Sequence, residues 1–395
     1  MLKLFKKIYR FVKKPIIVFS SFSGKGYGLN PKYIAEEILK QKLPYRLVWL
    51  LENNIPAINI PSKIKIVKFK PKRSIKWLKK ADVWIFNNRN KKLIEHGLIK
   101  DEKQLYIQTW HGSLGFKKIE KDIEQNKNYE GYLKAAKIDS KMIDYLLSPS
   151  AFDTKCLKNC FYYDGKIIEV GYPENDIFFY PTIQKEKIIS KVKKNYNISD
   201  DKKIVLYAPT FRDSHNIDIY NINTNKIIST LKDKFNSEWV FIKKLHPNLL
   251  KENAKFNQID SINATDYPDL QELLLASDIL ITDYSSAIWN FCLQDKPAFI
   301  YAPDIEMYTR ERDFYIPIYD MPFEIAQTID ELIEKVKKSN IDDYILKIHD
   351  FMKKRKGHFD KGKASENVVQ IIKEYINDRD YAASSLKALL PLCLM

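Results

Sequence analysis

Only four thiols, Cys156, Cys160, Cys292 and Cys393, occur in 395 residues, and no two stand as a CxxC pair or at a spacing typical of a zinc site. A disulfide-stapled secreted scaffold is thereby excluded, and a reduced, cytoplasmic setting fits. Cys156 and Cys160 lie four apart and share a helix face, a pattern of packing. No run reaches the ~18 uninterrupted apolar residues of a transmembrane helix. The opening MLKLFKKIYRFVKKPIIVFSSF is not a signal peptide, because lysines interrupt its apolar residues as far as Pro15 and no small-residue cleavage site follows. A soluble or peripheral protein is expected. GxxxxGK[ST] is also missing, and SGKGYG places Gly24, Gly26 and Gly28 outside the GxGxxG spacing. No helix-turn-helix, RNP-like pattern or zinc finger accompanies the positive charge, which reads as dispersed, so no nucleic-acid partner is expected. No acidic cluster suits Mg²⁺, and neither a metal nor another cofactor is expected. No internal repeat is evident.

What is present is a globular composition, 45% hydrophobic and 13% aromatic, in a chain long enough for two domains. Lysine and arginine number 66 against 50 acids, a net charge of +16. Such a balance favours an anionic partner: nucleic acid, an acidic membrane surface or a phosphate-rich substrate.

Residues 1–14 place Leu4, Phe5, Ile8, Phe11 and Val12 at helical spacing among Lys3, Lys6, Lys7, Arg10, Lys13 and Lys14. This is a short basic amphipathic helix, able to lie on an anionic membrane or to dock on the protein with its lysines solvated. Strand-like runs follow: PIIVFSSF, YRLVWLL, IKIVKF, DVWIFN, LYIQTW, YLLSPS and KIIEVGYP. Helical stretches lie between several of them, including PKYIAEEILKQ, opened by Asn30 and Pro31. After a charged segment, Gln184 to Lys203, the alternation restarts with KIVLYAPTF, EWVFIKKLHP, DILITDYSS and KPAFIYAPD. Alternating β and α elements predict parallel sheets covered by helices. The expected class is α/β and GT-B-like, with two doubly wound Rossmann-like domains, 15–183 and 184–361, facing across a cleft. A terminal helix is expected over 362–380, and 381–395 form a tail of unknown role.

Candidate chemistry sits where strands end. TWHG closes LYIQ, APTFRD closes IVLY, KLHPN closes WVFIK and TDYSSA closes DILI. Two of the six histidines, His111 and His246, thus come from opposite halves; His96 and His349 lie in helical stretches, and His215 and His358 in polar loops. Asp283 through Ser286 offer hydroxyls and backbone N–H groups at the start of a helix, where an anion is favoured. Ordinary capping by Ser285 and Ser286 is the plainer reading. Arg212, Lys244 and Arg312 could add cationic contacts.

Taken in order, SSFSGKGYGLNPKYIAEEI, TWHGSLGFKKIEKD, SPSAFDTKCL, GYPENDIFF, VLYAPTFRD, KLHPN, ITDYSSAIWNFCLQDKPAFIYAPD, ERDFY and DKGKAS resemble the motifs of CDP-glycerol glycerophosphotransferases, the teichoic-acid primases and polymerases. The resemblance runs from about Val18 to about Ile376. It implies transfer of glycerol phosphate, or ribitol phosphate, from a CDP-linked donor to a hydroxyl of a polyprenyl-linked acceptor at the cytoplasmic face of the membrane. It implies catalytic roles for His111 and His246, and donor contacts in the Thr282, Asp283, Ser285 and Ser286 stretch, with Pro209, Thr210, Arg212, Lys244 and Arg312 beside them. His111 is then the base, expected near pKa ~7, and His246 a donor to the departing phosphate. One position departs: Glu174 stands where the family pattern has arginine, which changes the charge expected near the cleft. A nucleotide-sugar glycosyltransferase of the same fold, and a non-enzymatic membrane or nucleic-acid adaptor, are the competing classes; the intact His111 and His246 argue against the adaptor. The absence of a large additional N-terminal domain in this sequence mildly favours a primase or short-chain transferase.

Overall fold

The computed structural model describes residues 14–212, 218–220, 222–245, 261–311 and 313–389. Seven strands form the first sheet: β1 (Ile16–Ser20), β2 (Arg46–Leu51), β3 (Lys65–Lys68), β4 (Val83–Phe86), β5 (Leu105–Gln108), β6 (Tyr145–Ser148) and β7 (Lys166–Glu169). Six form the second: β8 (Lys203–Tyr207), β9 (Trp239–Lys243), β10 (Ile262–Asn263), β11 (Ile279–Thr282), β12 (Ala298–Tyr301) and β13 (Glu324–Ala326). Every pairing is parallel, and the orders are β3-β2-β1-β4-β5-β6-β7 and β10-β9-β8-β11-β12-β13. Central strands such as IIVF, VWIF and ILIT are buried on both faces, which is why they read as continuous apolar runs rather than alternating ones.

In each sheet the chain winds outward from a central strand, then returns to wind the other way, so the order reverses between β1 and β4 and between β8 and β11. A crevice opens outside the carboxyl ends of strands at such a switch point, and this topology places the ends of β1, β4 and β5 on one side and of β8 and β11 on the other. All eleven strand-like runs are strands; β10 and β13 went unread because they are two and three residues long and mostly half-exposed.

The charged segment after residue 183 belongs to a helix, Thr182–Asn195, whose Val192 is fully buried in the core around the second sheet. The chain's last helix, Ala364–Leu389, runs well past 380. Its Val368, Val369, Ile372 and Ile376 pack into the core of the first sheet beside Ile17, Ile34, Ile38 and Trp49. Its first turn is held by Asp176, which accepts from the N–H groups of Ala364 (2.9 Å) and Ser365 (2.8 Å). The helix read from PKYIAEEILKQ starts earlier, at Leu29 with Gly28 as its cap, so Asn30 lies inside it with its side chain free for other work. Lys14 is exposed at the first described residue, and Lys3, Lys6, Lys7, Arg10 and Lys13 lie outside the described residues, as does the tail from 390 onward. Among the described residues no helix is long and apolar enough to cross a membrane.

Candidate active site

The ends of β1, β4 and β5 converge on His111. The residue before it, Trp110, holds a left-handed backbone (φ +54°), a conformation that costs free energy for a bulky side chain and clusters at functional turns. This turn is fixed by Gln108, whose side-chain oxygen accepts the Trp110 N–H at 3.0 Å. The His111 Nδ1 lies 2.6 Å from the main-chain oxygen of Asn87, just beyond β4. A carbonyl oxygen only accepts, so Nδ1 carries the proton and the neutral ring presents Nε2 with its lone pair. Phe22, beyond β1, sets its ring edge-on to the imidazole at 5.3 Å, and its N–H donates to the Asn87 side chain at 2.9 Å. Burial among these groups pushes His111 down to about 4, below the value near 7 that base catalysis suggested. The imidazole is therefore neutral at physiological pH.

On the opposite side, Asp283 follows β11 and accepts the Thr210 N–H at 2.8 Å. Arg212 donates to Asp283 (2.7 Å) and to both carboxylate oxygens of Asp304 (2.7 and 3.2 Å), and its remaining terminal nitrogen to the carbonyl and hydroxyl of Thr210. All five guanidinium N–H donors are thereby used. Two carboxylates face its single positive charge, so Arg212 shapes the loop instead of offering a free cation to an anion. Thr282 is likewise internal, donating to Ala208 O at 2.7 Å, and Pro209 is buried. Lys244 turns away: its ammonium donates to the carbonyls of Thr265 (2.8 Å) and Tyr267 (2.6 Å), and burial pushes it down to about 8. Ser285 and Ser286 are the half-exposed groups of the stretch. Ser286 stands at the N-cap of the helix Ala287–Phe291 but makes no side-chain capping bond, while Ser285 Oγ accepts the Ala287 N–H at 3.3 Å. With only five residues that helix supplies little dipole, so the hydroxyls and loop N–H groups are what the turn offers. His246 and Arg312 lie outside the described residues, as does His215.

The two halves meet closely. A Cβ built on Gly112 would lie 2.5 Å from Ser286 Oγ and 3.1 Å from its Cβ, so the residue after His111 touches the serine turn and a larger one would push the Ser286 hydroxyl aside. Further along, Gly115 and Phe116 accept the N–H groups of Ile316 (2.8 Å) and Tyr315 (2.9 Å), and Lys118 donates its N–H to Asp313 O at 2.8 Å. The histidine loop thus pairs with the ERDFY segment. Asp153 holds the same loop from below, accepting from Ser113 (3.0 Å), from the Leu114 N–H and from the buried Lys356 ammonium at 2.7 Å.

Sequence reasoning missed the groups that set this junction. Asn30 donates to the carbonyls of Thr109 (3.3 Å) and Trp110 (3.2 Å), gripping the histidine turn, and its Oδ1 accepts the Glu174 N–H at 3.1 Å. Glu174, 1% exposed, accepts from the Asn30 N–H (3.1 Å), Gln271 (3.0 Å) and Asn290 (3.0 Å), the last two from the second half. It is an internal tie between domains, not a charge displayed in the cleft. Nearby, Lys32 reaches Asp269 at 2.5 Å; burial raises Asp269, but the Lys32 ammonium outweighs it and holds the carboxyl low. Asn87 and Asp304 each follow a strand, and position beyond a strand end was the one sequence signal that could have found them.

Two facing Rossmann-like domains, whose histidine and serine turns touch at Gly112 and Ser286, form an α/β fold of the GT-B type. The family model of CDP-Glycerol:Poly(glycerophosphate) glycerophosphotransferases matches residues 2–374, and the chain belongs to that family. It is 31% identical over 396 residues to the teichoic acid poly(glycerol phosphate) polymerase of Bacillus spizizenii, covering 94% of this chain and 96% of the relative. It is 32% identical over 388 residues to a teichoic acid glycerol-phosphate transferase of Staphylococcus aureus, covering 93% and 95%. Against the poly(glycerol phosphate) polymerase of Bacillus subtilis it spans about half the relative's length, 49%. A solved structure of a histidine-to-alanine variant of the wall teichoic acid polymerase TagF superposes with a TM-score of 0.79 at 28% identity, covering 94% of this chain and 91% of that one.

Gly112→Ala should lower turnover by ~10²-fold, the cost of displacing reacting groups by about an ångström, with folding retained; near-native turnover would show that the two loops separate freely. Burial, partly offset by the Asn290 and Asn30 hydrogen bonds, pushes Glu174 up to about 8 from 4.5. Between those values the folded state keeps a proton that the unfolded chain releases, so stability falls as pH rises through the window and levels off above it. The melting temperature should therefore drop between pH 6 and pH 9. In Glu174→Gln, which cannot titrate, the drop should shrink to the share of Asp360, pushed up to about 7 by the same kind of burial. An equal drop in both proteins would remove Glu174 from this role.

Proposed function

We propose that the protein transfers glycerol phosphate from CDP-glycerol to a hydroxyl of a polyprenyl-linked acceptor, releasing CMP, in teichoic acid or related surface-polymer synthesis. The observation that carries this reading is the contact between Gly112, the residue after His111, and Ser286 of the serine turn, which supports the two turns acting on one substrate. Family membership supports the donor, and so does the solved TagF variant structure soaked with CDP-glycerol. Glycerol is favoured over ribitol because the two full-length relatives named above both carry glycerol phosphate in their names.

In the reaction the acceptor hydroxyl attacks the glycerol-bearing phosphorus while its proton passes to His111 Nε2. The new P–O bond forms as the bond to the CMP oxygen breaks, and the bonding pair leaves with CMP. Hydroxyls of Ser285 and Ser286, with His246, meet the charge that gathers on the departing phosphate. A base pushed down to about 4 is weak when the site is empty. The donor's pyrophosphate, arriving as an anion beside it, favours the protonated form and moves it toward neutrality, so the base strengthens when substrate is bound. The basic segment 1–14 supplies reversible attachment to the anionic inner membrane surface, where a polyprenyl-linked acceptor resides.

The test is incubation with CDP-glycerol, CDP-ribitol and UDP-sugars and an acceptor analogue, followed by mass spectrometry. Added glycerol phosphate with stoichiometric CMP is expected; gain from a UDP-sugar alone would replace the reading with sugar transfer. His111→Ala and His246→Ala should each cost ~10²-fold or more in turnover with folding retained. Because His111 acts unprotonated, kcat/KM should rise with pH through a limb set by the free enzyme, lying below the ordinary imidazole value of 6.5. An acid limb above 6.5 that persists in His111→Ala would assign the base elsewhere.

A further inference from the structure

The positive charge of this chain is not evenly spread. Residues 63–80, KIKIVKFKPKRSIKWLKK, contain Lys63, Lys65, Lys68, Lys70, Lys72, Arg73, Lys76, Lys79 and Lys80 and no acid, and all nine side chains are exposed. They cover β3, at one edge of the first sheet, and the helix Pro71–Leu78 that follows. Of the acids that border this surface, Glu52 is engaged by Lys92 (3.5 Å) and Asp82 by Arg379 (2.5 Å). Lysines on an edge strand guard against edge-to-edge pairing, which accounts for Lys65 and Lys68. That device does not account for the helix, where like charges one turn apart repel and destabilise.

The surface is continuous with the acceptor side of the site. Gly24 (φ +89°) lies so near β3 that a Cβ there would stand 2.9 Å from Phe69 Cβ, and Gly24 O accepts the Glu52 N–H at 2.8 Å. Two residues before Gly24 is Phe22, whose ring packs on His111, and the residue after it is the exposed Lys25. A chain leaving the His111 side over this loop reaches Lys70 and the basic helix. Apolar surface is scarce there: Ile66 is 41% exposed, and the Trp77 ring is faced by Arg46 (5.1 Å) and Lys65 (5.0 Å). Lipid insertion needs an apolar face, whereas a row of cations with little apolar area suits a flexible polyanion read through its phosphates.

Resting on the proposed transfer, we infer that the edge formed by β3 and the helix Pro71–Leu78 binds the phosphodiester chain of an acceptor already carrying several polyol-phosphate units. A long acceptor is then held by its earlier units while its terminal hydroxyl reaches His111, and lengthening is favoured over initiation.

The experiment compares soluble acceptors bearing one and about eight glycerol-phosphate units, for the full chain and for Lys68→Gln/Lys72→Gln/Lys76→Gln. KM should be lower for the long acceptor in the parent, and the triple variant should lose this advantage, its long-acceptor KM rising roughly tenfold at low salt. Its kcat and single-unit KM should be unchanged, which a folding defect would not allow. No length dependence in the parent, or length dependence retained in the variant, overturns the inference. So does a variant that loses sedimentation with anionic vesicles yet keeps the long-acceptor advantage, which would mark the edge as a membrane contact. Binding of a fluorescent octamer, followed by anisotropy without donor, separates this inference from the transfer reading. If no turnover occurs with CDP-glycerol, the transfer reading fails while octamer binding that weakens tenfold in the variant still supports the surface; equal binding by both proteins overturns it.

Discussion

A carboxyl group buried between two domains and surrounded by neutral donors, with no cation in its hydrogen bonds, is the constraint on which the cleft depends. Glu174 takes the Asn30 N–H from one side and Gln271 and Asn290 from the other. Asn30 in turn holds the carbonyls of Thr109 and Trp110, so the strained turn before His111 is tied through Asn30 and Glu174 to the second domain, beside the direct contacts of Gly112, Gly115 and Phe116. Buried polar networks of this kind are unforgiving, because each unmet donor costs the full desolvation of that group. Precision at the cleft follows from that cost.

Much of the architecture was legible because parallel, doubly covered strands leave continuous apolar runs, and eleven of thirteen strands announced themselves that way. His111 was legible for a related reason: it stands beyond such a run, where the topology places ligands. The network behind it was not. Asn30 looked like a helix opener, and Glu174 like a charge at the mouth of the cleft. Both readings failed because burial and partner are properties of residues 79 to 116 positions away: Thr109, Trp110, Gln271 and Asn290. Arg212 shows the same limit from the other side. Its type suggested an anion contact, yet Asp283 and Asp304 take up its donors, and nothing in a linear reading marks Asp304 as its partner.

That pairing also sets the electrostatic character of the serine turn. With the guanidinium's donors taken up by two carboxylates and Thr210, the described part of the turn presents hydroxyls and backbone N–H groups. In the proposed reaction, neutral donors would release CMP more readily than a bare guanidinium, since each bond to an unpaired charge is roughly twice as strong. The imidazole held neutral on the facing side fits the same economy of charge.

The returning helix Ala364–Leu389 has a consequence for how the chain matures. Its Val368, Val369 and Ile372 complete the core of the first sheet, whose last strand ended at Glu169. During synthesis that core stays unsealed while the entire second sheet emerges, an interval of roughly 10–40 s at ordinary elongation rates. The second sheet can form before then, whereas the first lacks the part of its apolar cover over Ile34 and Ile38 until residues 364–376 are made. A nascent chain in that interval carries uncovered apolar surface, the kind that favours aggregation, in its N-terminal half. Substitutions in the last helix should be felt first as poor yield on the ribosome's timescale, even where the finished enzyme would tolerate them.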